Sequence, residues 1–443
     1  MVDVKQLSKR TRTYLLRRLP YRPPERGDPI EVPDRPEDAV PLLERLLYKN
    51  IIPYWHTHAL DHEFGGYVLA RDGEDRPTAQ KTERWLIVQA RMFWYFSRLF
   101  SGGFAGEEAL EAARHGFEYL RDVMRDKEHG GYFWKIDAVT GKPQMDRKHI
   151  CGHAYVLFGL CEYAKAAKSD EAAEMAHDLF NLFEEKAYDS EHGGYREFFE
   201  PDWQPSNAPE IGYLTNAGPG TKRHATHIHI FEAYLDYYEL SGNPLVLKRI
   251  EELIEIQTVK VVRPEGPACT DNHTADWTPV VRDHKRAIAY GHDIETAWMV
   301  PIGCERLGLP RTALVDASAA LFETAYNHAF DTKKGGFFTA GPLTGPAYRR
   351  DKQWWVQAEA LICALYFYQR TGEPRYADCF LKTLDWIVNM QADWQGGEWH
   401  SLIAPNGRIM GVKADRWKAA YHTGRSMMTC LELLKSASAE RTG

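Results

Sequence analysis

The heptapeptide DKEHGGY, at Asp126–Tyr132, recurs along the chain and decides the fold. The other copies are DHEFGGY at Asp61–Tyr67, DSEHGGY at Asp189–Tyr195, DTKKGGF at Asp331–Phe337 and a looser QGGEW at Gln395–Trp399. Their first glycines are separated by 65, 63, 142 and 61 residues, and the double interval indicates a copy missing near residue 265. The period predicts six supersecondary units of similar length that stack on one another.

Each unit contains two segments with helical periodicity. Trp85, Val88, Met92, Phe96 and Leu99, for example, recur at steps of three and four residues and mark one apolar helix face. The predicted helices are 37–56, 80–100, 106–125, 149–167, 170–187, 223–241, 243–260, 291–307, 310–330, 352–371, 373–391 and 415–435. The second helix of each pair is expected to line the inside of a double ring.

The Gly-Gly elements predict tight turns, in which glycine supplies the positive φ, followed by short strands. The predicted fold class is therefore all-α, an (α/α)6 barrel of twelve helices with short β-hairpin loops. Residues 39–443 are expected to form this single domain. Residues 1–38, with nine Lys and Arg against five Asp and Glu up to residue 35, predict a basic, proline-rich N-terminal arm.

Composition excludes several function classes. The formal net charge of -7 provides no basic field to collect nucleic acid or acidic membrane. Seven scattered cysteines without a CxxC pair argue against a disulfide framework or a zinc site and favour a reducing compartment. No signal-peptide-like or membrane-spanning apolar run is found, so we expect a cytoplasmic protein.

Titratable and aromatic residues are concentrated on the predicted inner helices, where burial requires that they be paired or face a cavity. His292 and Glu295 share one helix face, and a carboxylate beside an imidazole suits proton transfer. His422 and Arg425 share a face of the last inner helix, after Trp417. A solvated rim pair in the first case and packing residues in the second are the alternatives.

Three further segments add candidates. His224, His227 and His229 invite a metal interpretation, but they diverge around the helix and lack an acidic ligand at their spacing, so we expect His229 alone to face the cavity. Trp354, Trp355, Gln357 and Glu359 offer flat faces and hydroxyl partners for a sugar, with core packing as the alternative. Arg91 interrupts an apolar run, which favours a ligand-facing role.

Together these segments resemble the N-acylglucosamine 2-epimerase superfamily, and within it most closely the cellobiose 2-epimerases. The resemblance covers about residues 40–437. It rests on QAR at Gln89–Arg91, THIH at Thr226–His229, GHDIE at Gly291–Glu295, WWVQAE at Trp354–Glu359 and WKxxYHxGR at Trp417–Arg425, which follow one another in the family's order.

The resemblance implies a sugar 2-epimerase that interconverts glucose-type and mannose-type sugars through a cis-enediolate. No glycine-rich phosphate loop such as GxxxxGK(S/T) occurs in the sequence, and the histidine spacing disfavours a metal, so we expect no cofactor and no metal. The resemblance also implies that His292 and His422 exchange the C2 proton on opposite faces, with His229 and Glu295 assisting. The residues it implies for substrate binding are Arg91, His153, Trp354, Trp355, Glu359, Trp417 and Arg425. The partner is a small sugar, and the choice between monomer and homodimer stays open.

Departures from the cellobiose enzymes bear on the substrate. Those enzymes usually have Asn at the position of Ala225, and Tyr and Gln at those of Cys151 and His153. Because the resemblance places these positions against the sugar, a free monosaccharide and the reducing end of a disaccharide both remain open.

Three other functions are compatible with the scaffold. An aldose-ketose isomerase, of the mannose-fructose type, would use the same enediolate. An (α/α)6 glycoside hydrolase would need two carboxylates flanking the bond, whereas the inner-helix candidates are mainly histidines. A non-catalytic binding protein would not need the histidine set.

Overall fold

The computed structural model describes Leu16 and residues 28–206, 220–263, 265–280, 288–310 and 313–442. Most of the predicted N-terminal arm therefore lies outside the described residues. Its last part is held by Ile30, whose backbone N–H donates to Oδ1 of Asn389 at 2.8 Å and whose carbonyl accepts from Nδ2 at 3.0 Å. None of the described helices combines the length and apolar character needed to cross a membrane.

Within the described residues twelve helices alternate between two rings. The outer helices are Val40–His58, which is continuous through a π-helical stretch at Leu46–Ile51, and Glu107–Tyr119, Asp170–Leu182, Pro244–Glu255, Ala313–Ala329 and Pro374–Trp386. The inner helices are Leu86–Ser101, Ile150–Ala167, His224–Ser241, Tyr290–Arg306, Trp354–Thr371 and Tyr421–Thr442. Each inner helix contacts the next, and the last contacts the first. The predicted fold class is confirmed.

Burial separates the two kinds of helix. An inner helix such as His224–Ser241 is buried on almost every face, because neighbours flank it and an outer helix covers it. An outer helix such as Asp170–Leu182 buries one apolar stripe and exposes the rest. Four outer helices continue into five-residue π-helical segments that lead to the turns, at Leu120–Met124, Phe183–Ala187, Ile256–Lys260 and Ile387–Gln391.

Short antiparallel strands link neighbouring units at one end of the barrel. The inter-unit pairs are Glu83–Trp85 with Lys135–Asp137, Lys148–His149 with Phe198–Phe199, Lys222–Arg223 with Asn272–His273, Ile288–Ala289 with Ala340–Gly341, Lys352–Gln353 with Leu402–Ile403, and Arg71–Asp72 with Val412–Ala414. The last pair joins the ends of the domain. Two further strands, Lys142–Met145 and Ile409–Met410, form the predicted kind of hairpin within a unit.

These strands explain why four of the inner helices begin later than periodicity predicts. The residues just before each of these four helices pair with the adjacent unit in extended conformation. The fourth inner helix begins at Tyr290, one residue before its predicted start, and the last begins at Tyr421, after an irregular stretch that follows the strand Val412–Ala414. The first inner helix, for example, begins at Leu86, because Glu83–Trp85 is a strand.

The Gly-Gly turns carry an ion pair that ties each turn to the following inner helix. In the second copy, Asp126 accepts the backbone N–H groups of Glu128 and His129 and binds Nζ of buried Lys148. The equivalent pairs are Asp61–Arg84, Asp189–Lys222, Asp331–Lys352 and Asp393–Lys413. Both glycines of this turn have positive φ, at 76° and 70°, as predicted.

The fifth turn is displaced by one residue from the Gly-Gly alignment. Gly397 and Glu398 occupy the two positive-φ positions, at 76° and 57°. The buried Glu398 carboxylate is held by Trp55 Nε1 at 2.6 Å and Lys418 Nζ at 2.8 Å, which supports a non-glycine residue in this conformation.

The unit without a Gly-Gly sequence has its turn where the interval predicts it, near residue 265. Val262 and Cys269 form the bridge that closes the turn in the other units, but Arg263 replaces the aspartate. Ile288 stands where the other units have Lys or Arg, so both partners of the ion pair are lost together. The backbone N–H of Cys269 instead donates to Asp293 at 3.1 Å.

Candidate active site

A cavity of about 460 Å³ opens between the N-terminal ends of the inner helices. Its walls are formed by Ile87, Arg91, Cys151, Arg223, Ala225, His229, Asp271, His292, Glu295, Gln353, Trp354, Trp355, Asp415, Trp417 and His422. All six inner-helix regions contribute, so residues more than 300 positions apart in sequence share one pocket.

The repeat determines which residues face this cavity. In five units we count from the position of the turn's ion-pair partner, namely Arg84, Lys148, Lys222, Ile288 and Lys352. The third residue after it is Ile87, Cys151, Ala225, Gly291 or Trp355, and the seventh is Arg91, Tyr155, His229, Glu295 or Glu359. Positions four residues apart lie on one helix face, so the two sets form successive layers, with the seventh residues deeper.

His422 is held by a buried carboxylate. Its Nδ1 lies 2.6 Å from Oε1 of Glu359, which orients the ring and leaves Nε2 for proton exchange. Burial, followed by the charges of Arg91 and Arg425, holds the pKa of His422 well below its usual range. The imidazole is therefore neutral near pH 7, as a proton acceptor requires.

His292 lies against the same indole as His422. Its ring centroid is 5.0 Å from that of Trp355, and the His422 ring is 5.7 Å from it. Nδ1 of His292 is 3.8 Å from Oδ1 of Asp271. Burial lowers the pKa of His292, while the Asp271 carboxylate opposes that shift.

The predicted pairing of Glu295 with His292 is wrong. Helical spacing puts the two residues near one face, but Glu295 binds Nη2 of Arg425, across the barrel. Glu295 still contributes to the cavity wall. Burial, together with the nearby Glu359 carboxylate, raises the pKa of Glu295 to about 7.

Arg425 is the centre of a buried network below the cavity and is absent from the cavity wall. It binds the carboxylates of Glu232, Glu295 and Glu359 and the hydroxyl of Tyr421. Glu359 likewise uses its oxygens on His422, Arg425 and Trp298. The prediction that Arg425 and Glu359 contact the substrate directly is therefore wrong. Both side chains instead hold residues that line the cavity.

His229 belongs to a hydrogen-bonded chain that begins at Arg91. Nη2 of Arg91 donates to the Tyr155 hydroxyl at 2.6 Å, and this hydroxyl lies 2.7 Å from Nε2 of His229. Nδ1 of His229 faces Glu232 at 3.5 Å. Arg91 also donates to the carbonyl of Trp417 at 2.6 Å and lines the cavity, and it has no carboxylate partner within the described part of the chain.

The three predicted tryptophans, Trp354, Trp355 and Trp417, all line the cavity. His153 does not. Its Nδ1 lies 2.8 Å from the His149 carbonyl and its Nε2 accepts the backbone N–H of Tyr132 at 2.9 Å. Because both ring nitrogens bind backbone, the predicted substrate contact of His153 is wrong, and the residue instead holds a Gly-Gly turn.

A substitution tests this role of His153. Gln89 and Gln357 accept the corresponding backbone N–H in two other units, at 2.8 and 2.7 Å. We expect His153→Gln to keep wild-type activity and stability. His153→Ala should lower the free energy of unfolding by about 1–3 kcal/mol, because it leaves a buried N–H unpaired. Loss of activity in a stable His153→Gln protein would restore the substrate role.

Sequence reasoning missed Tyr155, Arg223 and Asp271. Tyr155 could have been found, because it occupies the same repeat position as Arg91 and His229. Asp271 lies in the irregular loop near residue 265 that replaces the missing Gly-Gly turn, where no periodicity indicates which side chain points inward. Arg223, just before an inner helix, binds Asp271 at 2.8 Å between Nη2 and Oδ2.

The profile of the N-acylglucosamine 2-epimerase (GlcNAc 2-epimerase) family matches residues 65–426. The chain belongs to this family. The match includes the first five inner helices, the first six residues of the last one and both proposed proton-transfer histidines. This membership confirms the prediction of an isomerase of the carbohydrate 2-epimerase class.

Individual proteins align with nearly the whole chain. A cellobiose 2-epimerase of Dictyoglomus turgidum is 28% identical over 88% of this chain and 96% of its own. A D-mannose isomerase of Marinomonas mediterranea is 25% identical over 90% of this chain and 98% of its own. The solved structure of a cellobiose 2-epimerase from Spirochaeta thermophila superposes with a TM-score of 0.80 at 27% identity, covering 91% and 98% of the two chains.

Proposed function

We propose that this protein inverts the configuration at C2 of a free aldose or of the reducing-end sugar of a disaccharide. The observation that carries the proposal is the pair of imidazoles, His292 and His422, which share one cavity and pack on one indole. Each has a carboxylate nearby, Asp271 and Glu359 respectively. Two bases that reach the same carbon from opposite sides are what an inversion requires.

The reaction moves one proton off C2 and one proton onto it. In the open-chain aldehyde, one histidine takes the C2 proton and the electron pair shifts to O1, which forms the enediolate. The other histidine then donates its proton to the opposite face of C2, and the carbonyl reforms. The starting epimer decides which histidine begins.

Arg91 is suited to stabilise the developing oxyanion. It is buried, it reaches the cavity, and its hydrogen-bond partners among the described residues are the Trp417 carbonyl and the Tyr155 hydroxyl, both neutral oxygens. A cation aimed at a developing negative charge in a water-poor site lowers the barrier strongly. The Tyr155–His229 pair beside it can move a proton to or from a sugar oxygen, which is the assisting role proposed for His229.

The cavity walls support a sugar of either size. Trp354, Trp355 and Trp417 offer flat faces for C–H groups, and the cavity of about 460 Å³ is open to solvent at the strand end. Relatives named for cellobiose support the reducing end of a disaccharide. The relative named for D-mannose supports a monosaccharide and also the second candidate function, aldose-ketose isomerisation from the same enediolate.

Deuterium incorporation distinguishes these outcomes. We expect the purified protein in D2O, without added metal, to label C2 of cellobiose, lactose, mannose or glucose and to release the C2 epimer, as followed by NMR. A ketose product would establish the isomerase instead. Absence of exchange with all four sugars would contradict the proposed chemistry, and cleavage of the disaccharides would indicate a glycoside hydrolase.

A further inference from the structure

The carboxylate nearest His292 is supplied by a loop and not by its own helix. Asp271 lies one residue before the strand Asn272–His273, in the loop that lacks the Gly-Gly turn, and its Oδ1 is 3.8 Å from Nδ1 of His292. Both of these atoms are buried, and neither has a hydrogen-bond partner among the residues that the structure describes. Two complementary orphan atoms at this separation form a bond after a small rotation of either side chain.

Arg223 holds Asp271 in this position. Its Nη2 donates to Oδ2 of Asp271 at 2.8 Å, and Arg223 pairs across the strands with Asn272, the residue after Asp271. Burial disfavours the charged carboxylate, but the Arg223 guanidinium, followed by His292, holds the pKa of Asp271 below its usual range. Asp271 is therefore ionised, with Oδ2 engaged and Oδ1 directed toward His292.

We propose that Asp271 is the positioning residue of His292, held in place by Arg223. In this arrangement Asp271 accepts a hydrogen bond from Nδ1–H of His292, which keeps Nε2 toward the substrate. The same carboxylate stabilises the imidazolium when His292 carries the proton that it will donate. The inference rests on the proposed proton transfer and specifies it. His422 has a carboxylate from the neighbouring inner helix, whereas that of His292 comes from the loop that replaces the missing Gly-Gly turn.

The charges around His292 give the expected pH dependence. Asp271 favours the imidazolium, whereas Arg223 and Arg91 disfavour it, and the rings of His224 and His422 also face it. Asp271 is the anion among these groups, and Glu295 on the same helix is engaged by Arg425. Removing the Asp271 charge should therefore lower the pKa of His292.

Imidazole NMR tests this without using the reaction. In protein labelled with ¹⁵N-histidine, with His292→Gln to assign the signal, we expect Nδ1-protonated His292 in the wild type. Asp271→Asn should lower the pKa of His292 by about one unit and change its tautomer. The matched control is Asp276→Asn, which removes an exposed charge from the same loop at a residue bonded to Thr274 and Thr278 and should leave the titration unchanged.

Kinetics then connects the positioning to the reaction. For the direction in which His292 donates the proton, Asp271→Asn should lower kcat by about 10-fold or more and move the alkaline limb of the kcat/KM profile to lower pH. Asp271→Glu should recover part of the rate. An unchanged tautomer, pKa and pH profile in Asp271→Asn would overturn the proposal, while wild-type exchange at C2 would show that the proposed function survives.

Discussion

Replacing His422 with asparagine is expected to lower the rate of epimerisation by a factor of about 10²–10⁴, the usual contribution of a positioned acid or base. The variant should fold, because the asparagine amide can donate to the Glu359 oxygen that now binds His422 Nδ1. The loss should appear in kcat more than in KM, since proton transfer is removed while the tryptophan walls and Arg91 remain.

Isotope exchange makes this prediction sharper. If His292 and His422 work on opposite faces, His422→Asn retains one base. His292 should then remove and return a proton on its own face, so that one epimer gains deuterium at C2 without inversion and the other epimer gains none. His292→Asn should reverse this preference. Equal loss of exchange from both epimers in both variants would contradict the two-face arrangement.

The second large effect is expected at Arg425. Replacing it with methionine leaves Glu232, Glu295 and Glu359 in a buried site without their shared cation. Breaking a buried ion pair from one side typically costs about 3–5 kcal/mol. We expect a loss of that size in the free energy of unfolding at pH 8, measured by urea denaturation, together with loss of activity because Glu359 no longer holds His422 as it does now.

The loss of unfolding free energy in the Arg425→Met variant should depend on pH in a defined direction. The folded-state pKa of Glu295 is already raised to about 7, so the folded protein binds more protons than the unfolded chain at mildly acidic pH. The stability that Glu295 contributes is present below the pKa that this carboxyl has in the unfolded chain. It is lost as the pH rises through the folded-state pKa of about 7. Without Arg425 the three carboxylates should protonate more readily. The loss of unfolding free energy should therefore be smallest near pH 5 and grow toward pH 8.

Arg370 provides the matched control. It sits near the end of an inner helix, its side chain is 51% exposed, and it pairs with Glu305. Because exposed ion pairs contribute little, Arg370→Met should cost no more than about 1 kcal/mol and should leave activity and its pH dependence intact. An Arg425→Met protein as stable as this control at every pH would show that the network does not depend on the guanidinium.

The turn motif allowed much of the fold to be predicted. A pair of glycines with positive φ after a helix indicates a tight turn. The spacing of these pairs along the sequence therefore predicted the number of repeat units and the position of the divergent one near residue 265. The start of the inner helices was less predictable. Trp85 continues the apolar periodicity of the helix, but its backbone pairs with the strand Lys135–Asp137 of the next unit, a partner that no local pattern specifies.

The candidate active site likewise has features that the sequence could predict and features that it could not. By itself the sequence determined which residues could face inward, because the helical repeat puts Arg91, His229 and Glu295 on equivalent inner faces. Only the tertiary structure decided which of them bind one another. Glu295 is three residues from His292 but binds Arg425, 130 positions away, and His422 binds Glu359 at a separation of 63. The physical reason is that local spacing sets the angle of a side chain around its own helix, whereas the partner it reaches depends on how six helices are arranged around a common axis.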